Sequence, residues 1–197
     1  MKKRLLALLL CGAMLAACIP MASAASYWNL ADWAKDDVEM MESQGFLPES
    51  ILNGDMNASI SRKEMCYIAA YIFASFGDGS VTPSTTENAF TDTNDPVINF
   101  AAENGIVSGY EDNTFRPDKA ITRAEAVTMI NRVLQRNPQS PEDLLKDMVT
   151  WPDNQDPSQW YYLAIHEATN SHDYERTTGI YETWTQLRET PDWSQYE

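Results

Sequence analysis

Two short stretches of this 197-residue chain combine residue types suited to anion chemistry. In Ser61-Arg62-Lys63-Glu64 and Thr122-Arg123-Ala124-Glu125, a hydroxyl residue precedes a glutamate by three positions. That spacing is the signature of a capping box. The hydroxyl accepts from the third helical N–H, and the glutamate accepts from the hydroxyl residue's own N–H. Arg62 and Arg123 then fall at the first helical position. A cation is disfavoured there, because a helix N-terminus already carries partial positive charge. An anion held jointly by the guanidinium and free backbone N–H groups would offset that cost. The plainer alternative is a pair of ordinary caps with exposed arginines. Arginine also offers a planar fork matched to a carboxylate, which lysine does not.

Other clusters say less. His166-Glu167 and His172 do not have the His-Glu-x-x-His spacing, and six residues do not place two histidines on one helical face. Asp92-x-Asn94 with Glu103 twelve positions along partly fits a calcium loop. It lacks the glycine at position six and has Pro96 at position five. There is no phosphate loop, dinucleotide fingerprint or serine elbow. No catalytic residues, metal or cofactor are therefore expected, and the many carboxylates read as a solvated surface. The last 47 residues hold nine Trp or Tyr, including Trp151, Trp160, Tyr161, Tyr162, Trp184 and Trp193. Such rings can stack on sugars but more often fill a core.

Composition narrows the partners. Lys+Arg total 14 against 29 Asp+Glu, a formal charge of −15. Removing the three basic residues of the first 24 takes this to −18. Such a chain is a poor nucleic-acid binder, because phosphate neutralisation supplies most of that affinity. An anionic membrane surface would repel it too. Its aromatic content of 11% is too high for a disordered acidic chain.

Residues 1–24 read as an export signal. Lys2, Lys3 and Arg4 precede an apolar run from Leu5 to Ala17, and Ala22-Ser23-Ala24 is a small-x-small cleavage site. Leu15-Ala16-Ala17-Cys18 resembles a bacterial lipobox, which offers lipid attachment at Cys18 as the alternative. No transmembrane span is expected after signal removal. Cys66 is then the one remaining cysteine, so no intramolecular disulfide is expected. Among Met65, Ile68, Ala69 and Ile72 it reads as a small buried hydrophobe.

The elements that must position the arginines recur. A linker at 77–88 (GDGSVTPSTTEN) and a shorter one at 137–141 (NPQSP) divide the chain. The resulting repeats are 25–76, 89–136 and 137–197. A shift of 60 places Val38 on Ile98, Met41 on Ala101 and Gly45 on Gly105; a shift of 61 aligns the two capping boxes. A shift of 127 places Trp33 on Trp160 and Val38 on Ile165, after which the third repeat diverges and lacks a capping box. Each repeat opens with an apolar stripe at helical spacing: Leu30, Trp33, Ala34, Val38, Met41; then Val97, Ile98, Ala101, Ala102; then Tyr161, Ile165, Ala168. Gly45 and Gly105 read as helix C-terminal glycines. Second helices follow, with stripes Met65, Ile68, Ala69, Ile72, Phe76 and Ala126, Val127, Ile130, Val133, Leu134. A short β-hairpin is expected around Thr178-Gly179. The expected fold is mainly α: three helix-loop-helix repeats closing into a pseudo-three-fold helical bundle.

The sequence resembles S-layer homology domains, which occur as three tandem repeats on exported bacterial proteins. The matching pieces are Ala31-Asp32-Trp33-Ala34 with Gly45-Phe46-Leu47-Pro48, Gly105-Ile106-Val107-Ser108-Gly109-Tyr110, Thr114-Phe115-Arg116-Pro117 and the two capping-box segments. The resemblance implies a non-catalytic module held non-covalently on the cell wall through a secondary cell-wall polysaccharide, often pyruvylated. It implies grooves between adjacent repeats. It points to Arg62 and Arg123 as anion contacts, Gly109 and Tyr110 as loop contacts, and Trp33 and Trp160 as groove walls. Ser61, Glu64, Thr122 and Glu125 would support the caps. Localisation would be the cell surface, with another surface protein as a further partner. The alternative is a structural surface protein that assembles with itself or a partner chain.

Overall fold

The computed structural model describes residues 27–83, 85 and 87–190. The segment read as an export signal, with Cys11 and Cys18, and Trp193 lie outside the described residues. The described residues form five α-helices: α1 (Lys35–Ser43), α2 (Arg62–Ser75), α3 (Pro96–Glu103), α4 (Arg123–Val133) and α5 (Tyr162–Thr169). Three strands follow or intervene: β1 (Asn137–Pro138), β2 (His172–Arg176) and β3 (Tyr181–Leu187). No helix among the described residues is long and apolar enough to cross a membrane.

Local chemistry accounts for the helix ends. Ser61 Oγ accepts from Glu64 N–H at 3.2 Å, and Glu64 accepts from Ser61 N–H at 2.7 Å. Thr122 and Glu125 repeat the exchange at 3.2 and 3.0 Å. α3 instead starts on Asp95, whose carboxylate accepts from Val97 and Ile98 N–H, with Pro96 at the first position. Gly45 and Gly105 adopt φ of +72° and +70°, where any Cβ would be strained. Each lets the chain fold back so that the next N–H, Phe46 or Ile106, donates to a carbonyl of the last helical turn.

The core lies where α2 packs on α3 and α4. Cys66, Ala69, Ala70, Ile98, Ala101, Ile106, Phe115, Met129 and Val133 fill it. Small residues on α2 let the helices approach closely. Phe76 and Leu134 were expected at the ends of the apolar stripes. Both cap their helices instead and are exposed. α1 packs chiefly on the 3-10 turn before it (Asp32–Ala34).

The expected pseudo-three-fold helical bundle is not what the chain forms. The architecture is mixed: five helices plus a three-stranded sheet of order β1-β3-β2. The short hairpin expected around Thr178-Gly179 is part of that larger sheet. β2 pairs antiparallel with β3, and β1 pairs parallel with β3 through Asn137 and Pro138. The reason lies in the third repeat. From Thr177 to Thr185 its residues are rich in β-branched and aromatic types, and Gly179 (φ +61°) turns the chain. Where the first two repeats place a capped second helix, the third places this sheet.

Candidate functional site

The first capping-box helix docks on the second repeat by its N-terminus. Arg62 N–H donates to Lys119 O at 2.8 Å and Lys63 N–H to Pro117 O at 2.9 Å. The Arg62 side chain continues inward and is 6% exposed. Its Nε donates to Phe115 O at 2.9 Å and its Nη2 to Ser108 O at 2.7 Å. Its Nη1 lies 3.4 Å from Glu125 Oε1. The guanidinium also faces the rings of Tyr110 and Phe115 at 5.0 and 4.8 Å. The electrostatic cost of Arg at this position is thus offset by carbonyl oxygens and a carboxylate of the protein itself.

Glu125 gathers the other groups. One oxygen closes the capping box; the other accepts from Tyr110 Oη–H at 2.5 Å and lies 3.4 Å from Lys119 Nζ. Burial opposes its charge, but Thr122 N–H, Tyr110, Arg62 and Lys119 outweigh burial and bring its pKa down to about 2. Tyr110 is ringed by cations, with Arg116 over its face at 4.0 Å. The loop that carries it is pinned by Asp92, which accepts from Phe115 and Arg116 N–H, both at 2.8 Å. Gly109 is needed for packing. A Cβ there would lie 2.7 Å from the Phe90 ring and 2.9 Å from Thr114 O.

These groups border a cleft of about 640 Å³. One wall is the α4 face of Glu125, Thr128, Met129 and Arg132; the other is the loop from Val107 to Asp112 with Arg116. Arg62 lies at its base and Trp160, 63% exposed, at its rim. The structure therefore brings Arg62, Gly109, Tyr110 and Trp160 together from three separate stretches of the chain. Arg123 borders a neighbouring groove of about 560 Å³, which shares Tyr110, Glu125 and Trp160. Its side chain is 74% exposed and its Nη2 lies 3.0 Å from Asp153. Trp33 borders neither.

Sequence reasoning missed Arg116 and Arg132 as cleft residues. For Arg132 the signal was available, since 125, 128, 129 and 132 share one helical face. Arg116 depended on a left-handed backbone (φ +59°) that no pattern announces.

The weaker clusters resolve otherwise. Asp92 serves the loop backbone, and Glu103 accepts from Thr85 N–H at 3.1 Å. Burial, with Asp95 nearby, pushes the Cys66 thiol up to about 12, so it stays unionised. Glu167, His172 and Glu182 converge beneath the sheet, but Arg136 fills their centre. Its Nη2 lies 2.7 Å from both Glu167 Oε1 and His172 Nε2, and its Nε 3.0 Å from Glu182. His172 Nδ1 faces Asn170 O at 2.7 Å, and Trp184 Nε1–H donates to Glu167 at 2.7 Å. Burial opposes ionisation of Glu167, yet His172, Trp184 and Arg136 lower its pKa. That of Glu182 is raised by burial, with Glu167 adding to it. The guanidinium takes the place a metal ion would need, and the cluster ties α5 and the residue just before β1 to strands β2 and β3.

Comparison with known proteins places the similarity on the middle of the chain. A family model described as the S-layer homology domain matches residues 91–127. "Cell surface glycoprotein 1" of Acetivibrio thermocellus is 29% identical over 166 residues, covering 77% of this chain and 7% of that protein. The "Cellulosome-anchoring protein" of the same organism is 40% identical over 70 residues, covering 36% of this chain and 14% of that protein. "Exoglucanase XynX", also from Acetivibrio thermocellus, is 31% identical over 111 residues, 54% of this chain and 10% of that protein. The chain thus spans only a small part of each relative. Its matched segment, 91–127, holds α3, the Tyr110 loop and the second capping box, and it is over this segment that the chain is similar to the S-layer homology domain.

Proposed function

We propose that this chain is a non-catalytic module of the bacterial cell surface that attaches to the cell wall by binding an anionic, pyruvylated secondary polysaccharide. The observation that carries the reading is the cleft at the α2–α4 junction. It combines arginine side chains, a tyrosine and an exposed tryptophan over a volume suited to one or two sugar rings. Trp160 supplies a stacking face, and Arg62 and Tyr110 shape the polar end. Arg123 serves the neighbouring groove, and Trp33 stands apart from both. The names of the relatives, a surface glycoprotein and an anchoring protein, support a surface role. The export signal read at residues 1–24 agrees with it. XynX is named as an exoglucanase, and the small share of it that aligns fits an accessory module rather than an active site.

Co-sedimentation with purified sacculi tests the proposal. The chain should pellet with intact sacculi and stay soluble with sacculi stripped of secondary polymer by acid. Trp160→Ala should weaken pelleting without changing the thermal midpoint. Equal pelleting with intact and stripped sacculi would refute it. A second reading, assembly with itself or a partner chain, draws on exposed Phe76 and Leu134 around a shallow hollow with Phe73 and Phe100. Concentration-dependent light scattering without wall binding would favour that reading.

A further inference from the structure

The cleft holds three arginines, and their hydrogen bonds set them apart. Arg62 has each of its three side-chain nitrogens facing a protein oxygen. Arg116 is paired with Asp112 at 3.0 Å. Arg132, half-buried in the last turn of α4, meets only neutral groups: Ser108 Oγ at 3.1 Å and, at the long distance of 3.4 Å, Ile106 O. Among the described residues no carboxylate pairs with it. Arg62 and Arg132 also meet at Ser108, Arg62 donating to its carbonyl and Arg132 to its hydroxyl. Arg132, without a carboxylate partner and sharing Ser108 with a second arginine, leaves a positive spot at this end of the cleft. Burial, with Arg62 nearby, moves the Arg132 pKa below its ordinary value. At the other end of the same α4 face, Glu125 is already taken up by Tyr110, Lys119 and Arg62.

Resting on the polysaccharide reading above, we propose that Arg132 is the residue that pairs with a carboxylate of the bound saccharide, and that Arg62 is a buried strut that shapes the cleft. The planar fork of Arg132 suits a carboxylate in a bidentate grip. One uncompensated arginine matches one negative charge per bound unit. Thr128 lies one turn before Arg132, its hydroxyl donating to Ala124 O at 2.8 Å, which leaves its oxygen free to accept from a sugar hydroxyl.

The test compares wild type, Arg132→Ala and Arg132→Gln by sedimentation over a dilution series of intact sacculi. Gln keeps a donor toward Ser108 and removes the charge. A parallel arm uses sacculi whose carboxylates have been amidated with a carbodiimide. A charge-assisted hydrogen bond corresponds to a loss of about tenfold or more in affinity. Both variants should show that loss on intact sacculi, with thermal midpoints within about 2 °C of wild type. Wild type on amidated sacculi should fall to the level of the variants. Wild-type-like binding by Arg132→Gln, or undiminished wild-type binding to amidated sacculi, would overturn the assignment. A wild type that ignores intact sacculi altogether would overturn the polysaccharide reading itself.

Discussion

Replacing Glu125 with Gln should destabilise the chain by about 3 kcal/mol at neutral pH. Two routes lead to that figure. The first counts what the charge does: a charge-assisted bond from Tyr110, worth about 1.5–3 kcal/mol, while the Gln amide oxygen keeps the capping-box acceptor for Thr122 N–H. The second uses linkage. Its native pKa of about 2 against an ordinary glutamate value of 4.5 corresponds to about 3 kcal/mol. The sign follows from the depressed pKa. The contribution is fully present above the unfolded value and is lost as pH falls from about 5 toward 2. At pH 3 the gap between wild type and Glu125→Gln should therefore shrink to under half. For a domain of this size, 3 kcal/mol lowers the thermal midpoint by roughly 6–12 °C. Thermal unfolding followed by circular dichroism at pH 7 and pH 3 reads both quantities. A variant midpoint within 1–2 °C of wild type at pH 7, or a gap that stays constant between the two pH values, would refute the reasoning.

Three further outcomes follow from the same geometry. Gly109→Ala forces a methyl into Phe90 and Thr114 O and should cost about 1–3 kcal/mol, read by calorimetry. Arg136→Met leaves Glu167 and Glu182 without their shared cation and should cost about 3–5 kcal/mol; hydrogen exchange should show residues 172–187 losing protection first. Asp153→Ala breaks only an exposed pair with Arg123 and should leave the thermal midpoint within about 1 °C.

What could be read from the sequence was local. The capping boxes at Ser61 and Thr122 and the left-handed glycines Gly45 and Gly105 are set by contacts within a few residues, and all form as the residue types require. The fold class failed in the third repeat because a strand needs partners the sequence does not announce. β3 pairs with Asn137 and Pro138, two residues of a stretch read as a linker. Its pattern alone suggested no more than a hairpin. The candidate site was legible in part. Gly109, Tyr110, Arg62 and Trp160 were singled out and meet in one cleft. The burial of Arg62 was not foreseen, because its partners are backbone carbonyls 46 and 53 residues away, and carbonyls carry no sequence signal. Glu125, read as a capping residue, turned out to be the charge hub for the same reason: Tyr110 and Lys119 reach it only through the loop's turn at Arg116.

The central claim is that the Trp160-rimmed cleft binds an anionic wall polymer. The most direct measurement is calorimetric titration of acid-released secondary wall polymer into the purified chain, with Trp160→Ala beside it. The account predicts saturable binding by the wild type and at least a several-fold weaker affinity in the variant, with unchanged thermal midpoints. Equal affinities for the two proteins, or no saturable heat with the wild type, would contradict it.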